Sequence, residues 1–263
     1  MIREGLGELD GLVCDLDGVL YRGDQAIEGA AEAIGRLRAQ GIRIVFCTNN
    51  SRSTLDQYVT KLSSIGVEAG TEDIITSAVV TAEVLRDRGY SGKTAIVVGG
   101  DGIRAALGDV CISVKDDAVV TKSDLVVVGW DPNFHYEAMR RAADAVRSGA
   151  TFIATNDDSS FPGPDGLWPG AGAILASIQT AGGRTAEVMG KPHAPMLETV
   201  ARRLDGCRHI AIVGDRPETD LAGAPDRGWK TILVLSGVTR REEVGAIDPP
   251  PDLILESIAE LAR

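Results

Sequence analysis

The sequence predicts an α/β fold: a doubly wound core of parallel strands with a smaller α/β module inserted into it. Apolar runs of strand length alternate with segments of helical periodicity along nearly the whole chain, which is typical of parallel sheets covered by helices. These runs lack polar alternation, as expected for strands buried on both faces. A third observation is that polar residues gather at the ends of only some strands, where ligands of such sheets bind.

Each element follows from its local pattern. The first helix has apolar residues at Ala30, Ala33, Ile34 and Leu37, and the helix over Tyr136–Arg147 is stopped by Gly149. β-Branched runs between glycine-rich turns predict the strands. The predicted strands are Leu9–Leu16, Arg43–Thr48, Ile74–Ser77, Thr94–Val98, Leu125–Trp130, Thr151–Thr155, His209–Val213, Lys230–Leu235 and Asp252–Leu255. The predicted helices are Gly29–Gln40, Thr54–Ile65, Ala78–Arg88, Tyr136–Arg147, Gly172–Thr180, Pro195–Leu204, Asp220–Arg227 and Ser257–Arg263.

Strand ends with polar clusters define the predicted domains. These clusters begin at Asp15, Thr48, Lys191 and Gly214. The strands between about Ser77 and Arg184 carry no comparable cluster. We therefore predict a core domain formed by residues 1–76 and 186–263, and an inserted domain formed by residues 77–185.

Charge and composition exclude several classes of partner. The formal net charge of −11 argues against a nucleic acid polymer or an anionic membrane as the main partner, because Lys/Arg surfaces bind both. No apolar run is long enough for a transmembrane helix, and the N-terminus lacks a signal-peptide pattern. The four cysteines form no CxxC pair and fit no zinc pattern. We expect a soluble, cytoplasmic protein.

Three carboxylates at strand ends predict a metal site. Asp15 and Asp17 follow one apolar strand, and Asp215 follows another. Like charges held close together require protonation or a cation to relieve their repulsion. Because Mg²⁺ prefers oxygen ligands in octahedral geometry, these acids favour one Mg²⁺. The alternative is that they are helix caps or turn residues.

A second set of residues has the properties of an anion-binding site. Thr48 and Asn49 follow a strand and precede a helix, where a hydroxyl and backbone amides can bind phosphate. Lys191 adds a positive charge. Phosphoryl transfer depends on positioning and charge neutralisation, and an ionised aspartate can act as its nucleophile. Together with the acids, these residues predict phosphoryl chemistry.

The order Asp-Leu-Asp-Gly-Val, Thr-Asn-Asn, Lys-Pro and Gly-Asp-x4-Asp resembles the haloacid dehalogenase-like phosphatase superfamily. More closely, it is similar to the subfamily with a large (C2-type) cap between the second and third motifs. That subfamily includes NagD-like nucleotide phosphatases, 4-nitrophenylphosphatases, and phosphoglycolate, glycerol-phosphate and pyridoxal-phosphate phosphatases. The resemblance covers essentially the whole chain. It implies a Mg²⁺-dependent phosphatase that hydrolyses small phosphomonoesters through an aspartyl-phosphate.

The resemblance also implies roles for individual residues. Asp15 would be the nucleophile and a Mg²⁺ ligand, and Asp17 the general acid/base, with its backbone carbonyl on the metal. Asp215 would bind the metal directly or through water, and Asp220 would orient the metal site. Lys191 would neutralise both the phosphate and Asp15.

Phosphate and substrate contacts are implied in the same way. The expected residues are Gly18, Thr48, Asn49, Asn50, Lys191 and Asn156. A polar loop over Asn156–Pro169 would select the leaving group of the substrate. A cap of this kind can also mediate a homodimer. The physiological substrate and the oligomeric state stay open.

Three functions other than a phosphatase are compatible with parts of the sequence. A phosphotransferase or phosphomutase of the same fold would need an acceptor other than water. A non-catalytic regulator that binds a phosphorylated metabolite would not need the intact set of acids. A nicotinamide-binding oxidoreductase is the third alternative, because the run Gly100-x-Gly102-x-x-Ala105 matches a dinucleotide-binding fingerprint. A turn before a helix is the preferred interpretation of this run.

Overall fold

The computed structural model describes residues 8–115, 122–163 and 166–261. The chain divides into two compact units. The first takes in the described residues of Met1–Thr48, Asp56–Ile75 and Leu197–Arg263, and the second those of Asn49–Leu55 and Thr76–Met196. The inserted domain over residues 77–185 stays a prediction, since compactness alone does not mark where an insertion begins.

A six-stranded sheet with the order β15-β14-β13-β1-β4-β5 forms the first unit. Its strands are β1 (Gly11–Cys14), β4 (Arg43–Thr48), β5 (Ile74–Thr76), β13 (Ile210–Gly214), β14 (Lys230–Val234) and β15 (Leu253–Leu255). The central strand β1 pairs in parallel with β13 on one side and β4 on the other. All four residues of β1 are buried, as is typical of a parallel strand in a sheet that is covered on both faces.

The helices of the first unit are α1 (Ala30–Ala39) and α2 (Leu55–Ser64), and α7 (Ala194–Arg203) continues from the second unit into the first. In α1 the residues Ala30, Ala33, Ile34 and Leu37 are buried, as the helical spacing predicted. A short antiparallel hairpin of β2 (Tyr21–Arg22) and β3 (Gln25–Ala26) follows the first strand.

The second unit contains its own parallel sheet, with the order β12-β9-β8-β6-β7. Its strands are β6 (Thr94–Val98), β7 (Ser113–Val114), β8 (Leu125–Val128), β9 (Thr151–Ala154) and β12 (Glu187–Val188). Its helices are α3 (Ser77–Asp87), α4 (Asp101–Asp109), α5 (Tyr136–Arg147) and α6 (Ala171–Gly182). Side chains of β6, β8, β9, α5 and α6 share one buried apolar cluster.

The prediction of an α/β fold with parallel sheets is therefore confirmed. Within the described residues, no helix is both long and apolar enough to cross a membrane. Helix α4 begins at Asp101, directly after the glycine turn, so this segment is the start of a helix, as preferred above.

Two predicted helices are wrong. Over Asp220–Arg227 the chain forms a π-helical turn at Pro217–Leu221 and a 3-10 turn at Pro225–Arg227. Pro225 lies inside the predicted helix and has no N–H to donate to a carbonyl four residues earlier, so a regular helix cannot run through it. The predicted closing helix is only a 3-10 turn at Ile258–Glu260, and residues 262–263 lie outside the described residues.

The predicted polar loop over Asn156–Pro169 instead contains an antiparallel hairpin of β10 (Ser160–Gly163) and β11 (Gly166–Pro169). Residues 164–165 of that segment lie outside the described residues. Phe161 stands opposite Trp168, with ring centroids 6.1 Å apart. Such cross-strand aromatic pairs stabilise hairpins, which the glycine and proline content of the segment obscured.

Candidate functional site

Three buried carboxylates meet in the first unit. Asp15 follows β1, Asp215 follows the neighbouring strand β13, and Asp220 lies in the π-helical turn after it. Each offers an oxygen within 4.8 Å of the others. The parallel pairing of β1 with β13 brings the strand ends together. Residues about 200 positions apart in the sequence thus form one acidic cluster.

Asp220 is held by the backbone next to it. Its Oδ2 accepts hydrogen bonds from the amides of Asp215 and Arg216, both at 3.0 Å. A side chain that binds nearby amides in this way stabilises a local turn in place of a regular helix. The turn keeps the Asp220 carboxylate beside that of Asp215.

The segment after β14 braces Asp215 from the other side. The amide of Val238 donates to Asp215 Oδ2 at 2.6 Å, and the Thr239 hydroxyl donates to the Asp215 carbonyl at 2.6 Å. The Ser236 hydroxyl donates to the carbonyl of Gly18 at 2.6 Å. This segment therefore fixes both Asp215 and the turn that follows Asp15.

Two glycines leave room for the Asp215 carboxylate. Gly18 has φ +84°, and a Cβ there would lie 2.5 Å from Asp215 Oδ2. A Cβ on Gly237 would overlap the same oxygen. Gly18 is therefore required both for its left-handed backbone and for this close approach.

Asp17 does not belong to the cluster. Its side chain is exposed, whereas Asp15 and Asp215 are buried. Asp17 forms a backbone bridge with Tyr21. The acid/base role of Asp17 stays a prediction.

Thr48 lies at the end of β4 and is buried. It shares a side-chain hydrogen bond with Tyr58 of α2. Burial raises the pKa of Tyr58, and the negative charge of Asp17 raises it further. The Tyr58 phenol therefore stays protonated across the physiological range.

In the second unit, Asn49 and Lys191 bind each other through the backbone of Lys191. The Lys191 amide donates to Asn49 Oδ1 at 2.7 Å, and Asn49 Nδ2 donates to the Lys191 carbonyl at 3.0 Å. Asn49 Nδ2 and Asn156 Nδ2 both donate to Asp158 Oδ2, at 3.0 and 2.6 Å. The Lys191 side chain is buried.

The predicted residues thus fall into two groups. The first unit contains Asp15, Asp17, Gly18, Thr48, Asp215 and Asp220, and the second contains Asn49, Asn50, Asn156 and Lys191. Within the second unit, Asn50 is exposed and accepts a hydrogen bond from the Arg52 amide at 3.0 Å.

The acidic cluster fits a divalent cation. Three buried carboxylates this close together repel one another strongly unless a positive charge lies among them. All three donors are carboxylate oxygens, which suit hard cations such as Mg²⁺ and do not favour softer metals. The residues present therefore match the predicted cofactor.

Comparison with known proteins decides the family. A family model described as haloacid dehalogenase-like hydrolase matches residues 12–113, and one described as HAD-hydrolase-like matches residues 188–261. An acid sugar phosphatase of Staphylococcus haemolyticus is 38% identical over 244 residues, covering 92% of this chain and 90% of the relative. The chain belongs to the haloacid dehalogenase-like hydrolases. The predicted family is confirmed.

Solved structures similar to this haloacid dehalogenase-like hydrolase cover nearly its whole length. A hypothetical protein of Pyrococcus horikoshii is 38% identical with a TM-score of 0.89, covering 96% of this chain and 98% of its own. A glycerol phosphate phosphatase of Mycobacterium tuberculosis, solved in complex with magnesium, is 30% identical with a TM-score of 0.87, covering 99% of this chain and 78% of its own. A p-nitrophenyl phosphatase of Archaeoglobus fulgidus is 28% identical with a TM-score of 0.89, covering 97% and 98%.

Sequence reasoning missed several residues of the site. Tyr21, Thr239 and Asp158 received no role, although each is next to a predicted residue in space. A glycine and two hydroxyls follow the strand at Lys230–Val234. That polar segment at a further strand end was the signal that could have pointed to Ser236 and Thr239.

Proposed function

We propose that this hydrolase is a Mg²⁺-dependent phosphatase that hydrolyses small phosphomonoesters through an aspartyl-phosphate on Asp15. The observation that carries the proposal is the cluster of Asp15, Asp215 and Asp220, with oxygens within 4.8 Å of one another. The names of the relatives, which include acid sugar, p-nitrophenyl and glycerol phosphate phosphatases, support the same reaction type.

In the proposed first step, a carboxylate oxygen of Asp15 attacks phosphorus, and the bond to the leaving oxygen breaks. Asp17 gives its proton to that leaving oxygen, so the product is a neutral alcohol. Asp17 suits this role because its side chain is exposed. Bound Mg²⁺ would supply neutralisation of negative charge on Asp15 and the phosphoryl group.

In the second step, water attacks the phosphorus of the aspartyl-phosphate. Asp17, now a carboxylate, accepts a proton from this water, and the bond between phosphorus and Asp15 breaks. Inorganic phosphate leaves, and both acids return to their starting states. Asp215 and Asp220 would hold the metal throughout, with Asp220 also fixing the Asp215 backbone.

Phosphate or substrate binding is proposed for Gly18, Thr48, Asn49, Asn50, Asn156 and Lys191. Support comes from burial of the Thr48 and Lys191 side chains and from the hydrogen bonds that fix Asn49 against the Lys191 backbone. A small phosphorylated metabolite in the cytoplasm is the proposed substrate. A homodimer formed through the cap stays a prediction, which size-exclusion chromatography with light scattering checks.

Phosphate release tests the proposal. Purified protein with Mg²⁺ is given 4-nitrophenyl phosphate, glycerol phosphate, sugar phosphates, phosphoglycolate, nucleoside monophosphates and pyridoxal phosphate. We expect the wild type to release phosphate. EDTA should abolish this turnover and added Mg²⁺ should restore it, and the Asp15→Asn variant should be inactive. The exposed acid in Asp226→Asn is the matched control and should leave turnover unchanged.

Two results would contradict the proposal. One is Asp15→Asn activity close to that of the wild type, and the other is turnover that persists in EDTA. Transfer of the phosphoryl group to an added alcohol, without release of inorganic phosphate, would instead identify a phosphotransferase of the same fold.

A further inference from the structure

Asp158 lies between the side-chain amides of two asparagines in the second unit. Its Oδ2 accepts hydrogen bonds from Asn49 Nδ2 at 3.0 Å and from Asn156 Nδ2 at 2.6 Å. A carboxylate can only accept hydrogen bonds, whereas a primary amide has a donating nitrogen at one end and an accepting oxygen at the other. The nitrogen of each asparagine therefore faces Asp158, and the oxygen of each faces away from it.

The oxygen end of the Asn49 amide faces the backbone of Lys191. Asn49 Oδ1 accepts the Lys191 amide at 2.7 Å, and Asn49 Nδ2 also donates to the Lys191 carbonyl at 3.0 Å. Turning the Asn49 amide over would place its oxygen against the Asp158 carboxylate and its nitrogen against the Lys191 N–H, so these hydrogen bonds would be lost. Asp158 therefore selects the orientation of Asn49 that can bind Lys191.

Backbone contacts hold both sides of this arrangement in place. A Cβ on Gly190 would lie 2.6 Å from Asn49 Oδ1, so the backbone before Lys191 approaches the Asn49 amide closely. The Asp158 carbonyl accepts the amide of Gly172, in α6, at 2.9 Å. Asp158 is therefore anchored to the start of α6 as well as to the segment that follows β9.

We propose that Asp158 is a positioning residue for Lys191: it fixes the amide of Asn49, and Asn49 in turn fixes the backbone from which the Lys191 side chain extends. The proposal rests on the proposed function, in which Lys191 binds the phosphate. The Lys191 side chain is buried, so a shift of its backbone moves the ammonium group as well. A displacement of about 1 Å in a group that positions a substrate can cost roughly 100-fold in rate.

Asp158→Ala and Asp158→Asn test the proposal. Alanine leaves the Asn49 amide without the acceptor that orients it, whereas asparagine keeps one acceptor oxygen. With 4-nitrophenyl phosphate and Mg²⁺, we expect kcat/KM to fall roughly 10-fold to 100-fold for alanine and to recover in part for asparagine. The inhibition constant of inorganic phosphate should rise roughly 10-fold for alanine. Because inorganic phosphate has no leaving group, a direct contact between Asp158 and the leaving group would leave this constant unchanged.

Asp124→Ala is the matched control. Asp124 Oδ2 also accepts two hydrogen bonds within the second unit, from the Thr94 amide at 2.9 Å and the Thr94 hydroxyl at 2.8 Å. Asp124 precedes β8, whereas Asp158 follows the parallel strand β9, so the two acids lie at opposite ends of the same sheet. Both alanine variants should lower the melting temperature, but Asp124→Ala should leave kcat/KM and phosphate inhibition unchanged.

A similar loss of kcat/KM in the Asp158→Ala and Asp124→Ala variants would overturn the proposal, because it would follow from lost stability alone. If Asp158→Ala does not fold, the comparison is made between Asp158→Asn and Asp124→Asn, with the same criterion.

A double-mutant cycle shows whether Asp158 acts through Lys191. In a Lys191→Met background, Asp158→Ala should change the residual kcat/KM and the affinity for inorganic phosphate less than about twofold. An undiminished effect there, or an Asp158→Ala variant within about twofold of the wild type in both constants, overturns the proposal. If the wild type itself releases no phosphate, the proposed function fails, and the role of Asp158 fails with it. An active wild type with an unaffected Asp158→Ala variant refutes the role of Asp158 alone.

Discussion

Asp220 holds the backbone of Asp215, since one carboxylate oxygen of Asp220 accepts the amide hydrogen of Asp215 at 3.0 Å. The same oxygen accepts the amide of Arg216 at 3.0 Å. Asp220 therefore adds its own negative charge to the acidic cluster. It also fixes the backbone of Asp215, and with it the position of the Asp215 carboxylate in the cluster. Residues that orient metal ligands affect metal affinity almost as much as the ligands do.

Replacing Asp220 with asparagine keeps one acceptor oxygen for these amides but removes the charge. We expect Asp220→Asn to fold and to require roughly 10-fold to 100-fold more Mg²⁺ for half-maximal activity. Titration of activity with Mg²⁺ and calorimetric metal binding measure this shift. The exposed Asp226→Asn should bind Mg²⁺ as the wild type does. Equal Mg²⁺ requirements in the two variants would show that Asp220 does not serve the metal.

Gly237 gives the Asp215 carboxylate the space that it occupies. A methyl group in Gly237→Ala would overlap Asp215 Oδ2, so either that carboxylate or the backbone must move. We expect a loss of about 1–3 kcal/mol in the free energy of unfolding, together with weaker Mg²⁺ binding. Urea denaturation and calorimetry check both effects.

Gly245→Ala is the control for this substitution. Nothing lies within 4 Å of a Cβ built at Gly245, so the variant should match the wild type in stability and in metal binding. If Gly237→Ala also behaved like the wild type, the close approach to Asp215 would have no energetic consequence.

Asn49 connects several polar groups of the second unit. It accepts the Lys191 amide at 2.7 Å and donates to Asp158 Oδ2 at 3.0 Å. Asn49→Ala removes this partner from the Lys191 amide and from Asp158 Oδ2. We therefore expect the free energy of unfolding to fall by about 1–3 kcal/mol. Urea denaturation measures it. The exposed Asn133→Ala should change stability by less than about 0.5 kcal/mol, and an equally small effect of Asn49→Ala would contradict the prediction.

An ion pair on the second unit gives a pH-dependent contribution to stability. Arg88 binds Glu187 through two contacts, at 2.6 and 2.7 Å, and the hydrogen bond from Arg88 lowers the pKa of Glu187. Because the folded-state pKa is depressed, the stabilisation is present above the unfolded-state pKa of about 4.3. It is lost as the pH falls through the lower folded-state value. The pair is about half exposed, so its contribution is about 0.5 kcal/mol.

Glu187→Gln tests this pH dependence. We expect it to be about 0.5 kcal/mol less stable than the wild type at pH 7, and the difference should shrink as the pH drops below about 4. Urea denaturation at several pH values measures it. The exposed Glu28→Gln corrects for the general effect of losing one acid. If the difference in stability between Glu187→Gln and the wild type grew as the pH fell, the predicted direction of the pH dependence would be wrong.

The sequence predicted the central strands and the acids at their ends well. Strands such as Leu125–Val128 are buried at every residue, so their continuous apolar runs have one simple interpretation. Asp15 and Asp215 were predicted to meet because parallel strands end at the same edge of a sheet. The burial of a strand and the direction in which it runs are therefore enough to predict such features from sequence.

Other features depend on contacts that no local pattern contains. The turn at Asp220 is π-helical because its carboxylate binds amides four and five residues earlier in the chain. The hydrogen bonds from Val238 and Thr239 to Asp215 likewise join segments that are far apart in the sequence. Tertiary hydrogen bonding is therefore the information that the pattern of residue types lacks.

The placement of β1 between β4 and β13 has a consequence for how the chain acquires its structure. Gly11 pairs with Ile210, so the pairing of β1 is incomplete until a segment about 200 residues further along the chain has joined it. Contacts of such high sequence separation form slowly. A Mg²⁺ ion held by both Asp15 and Asp215, as proposed, would bind only after these residues have come together, and it would stabilise only the finished sheet.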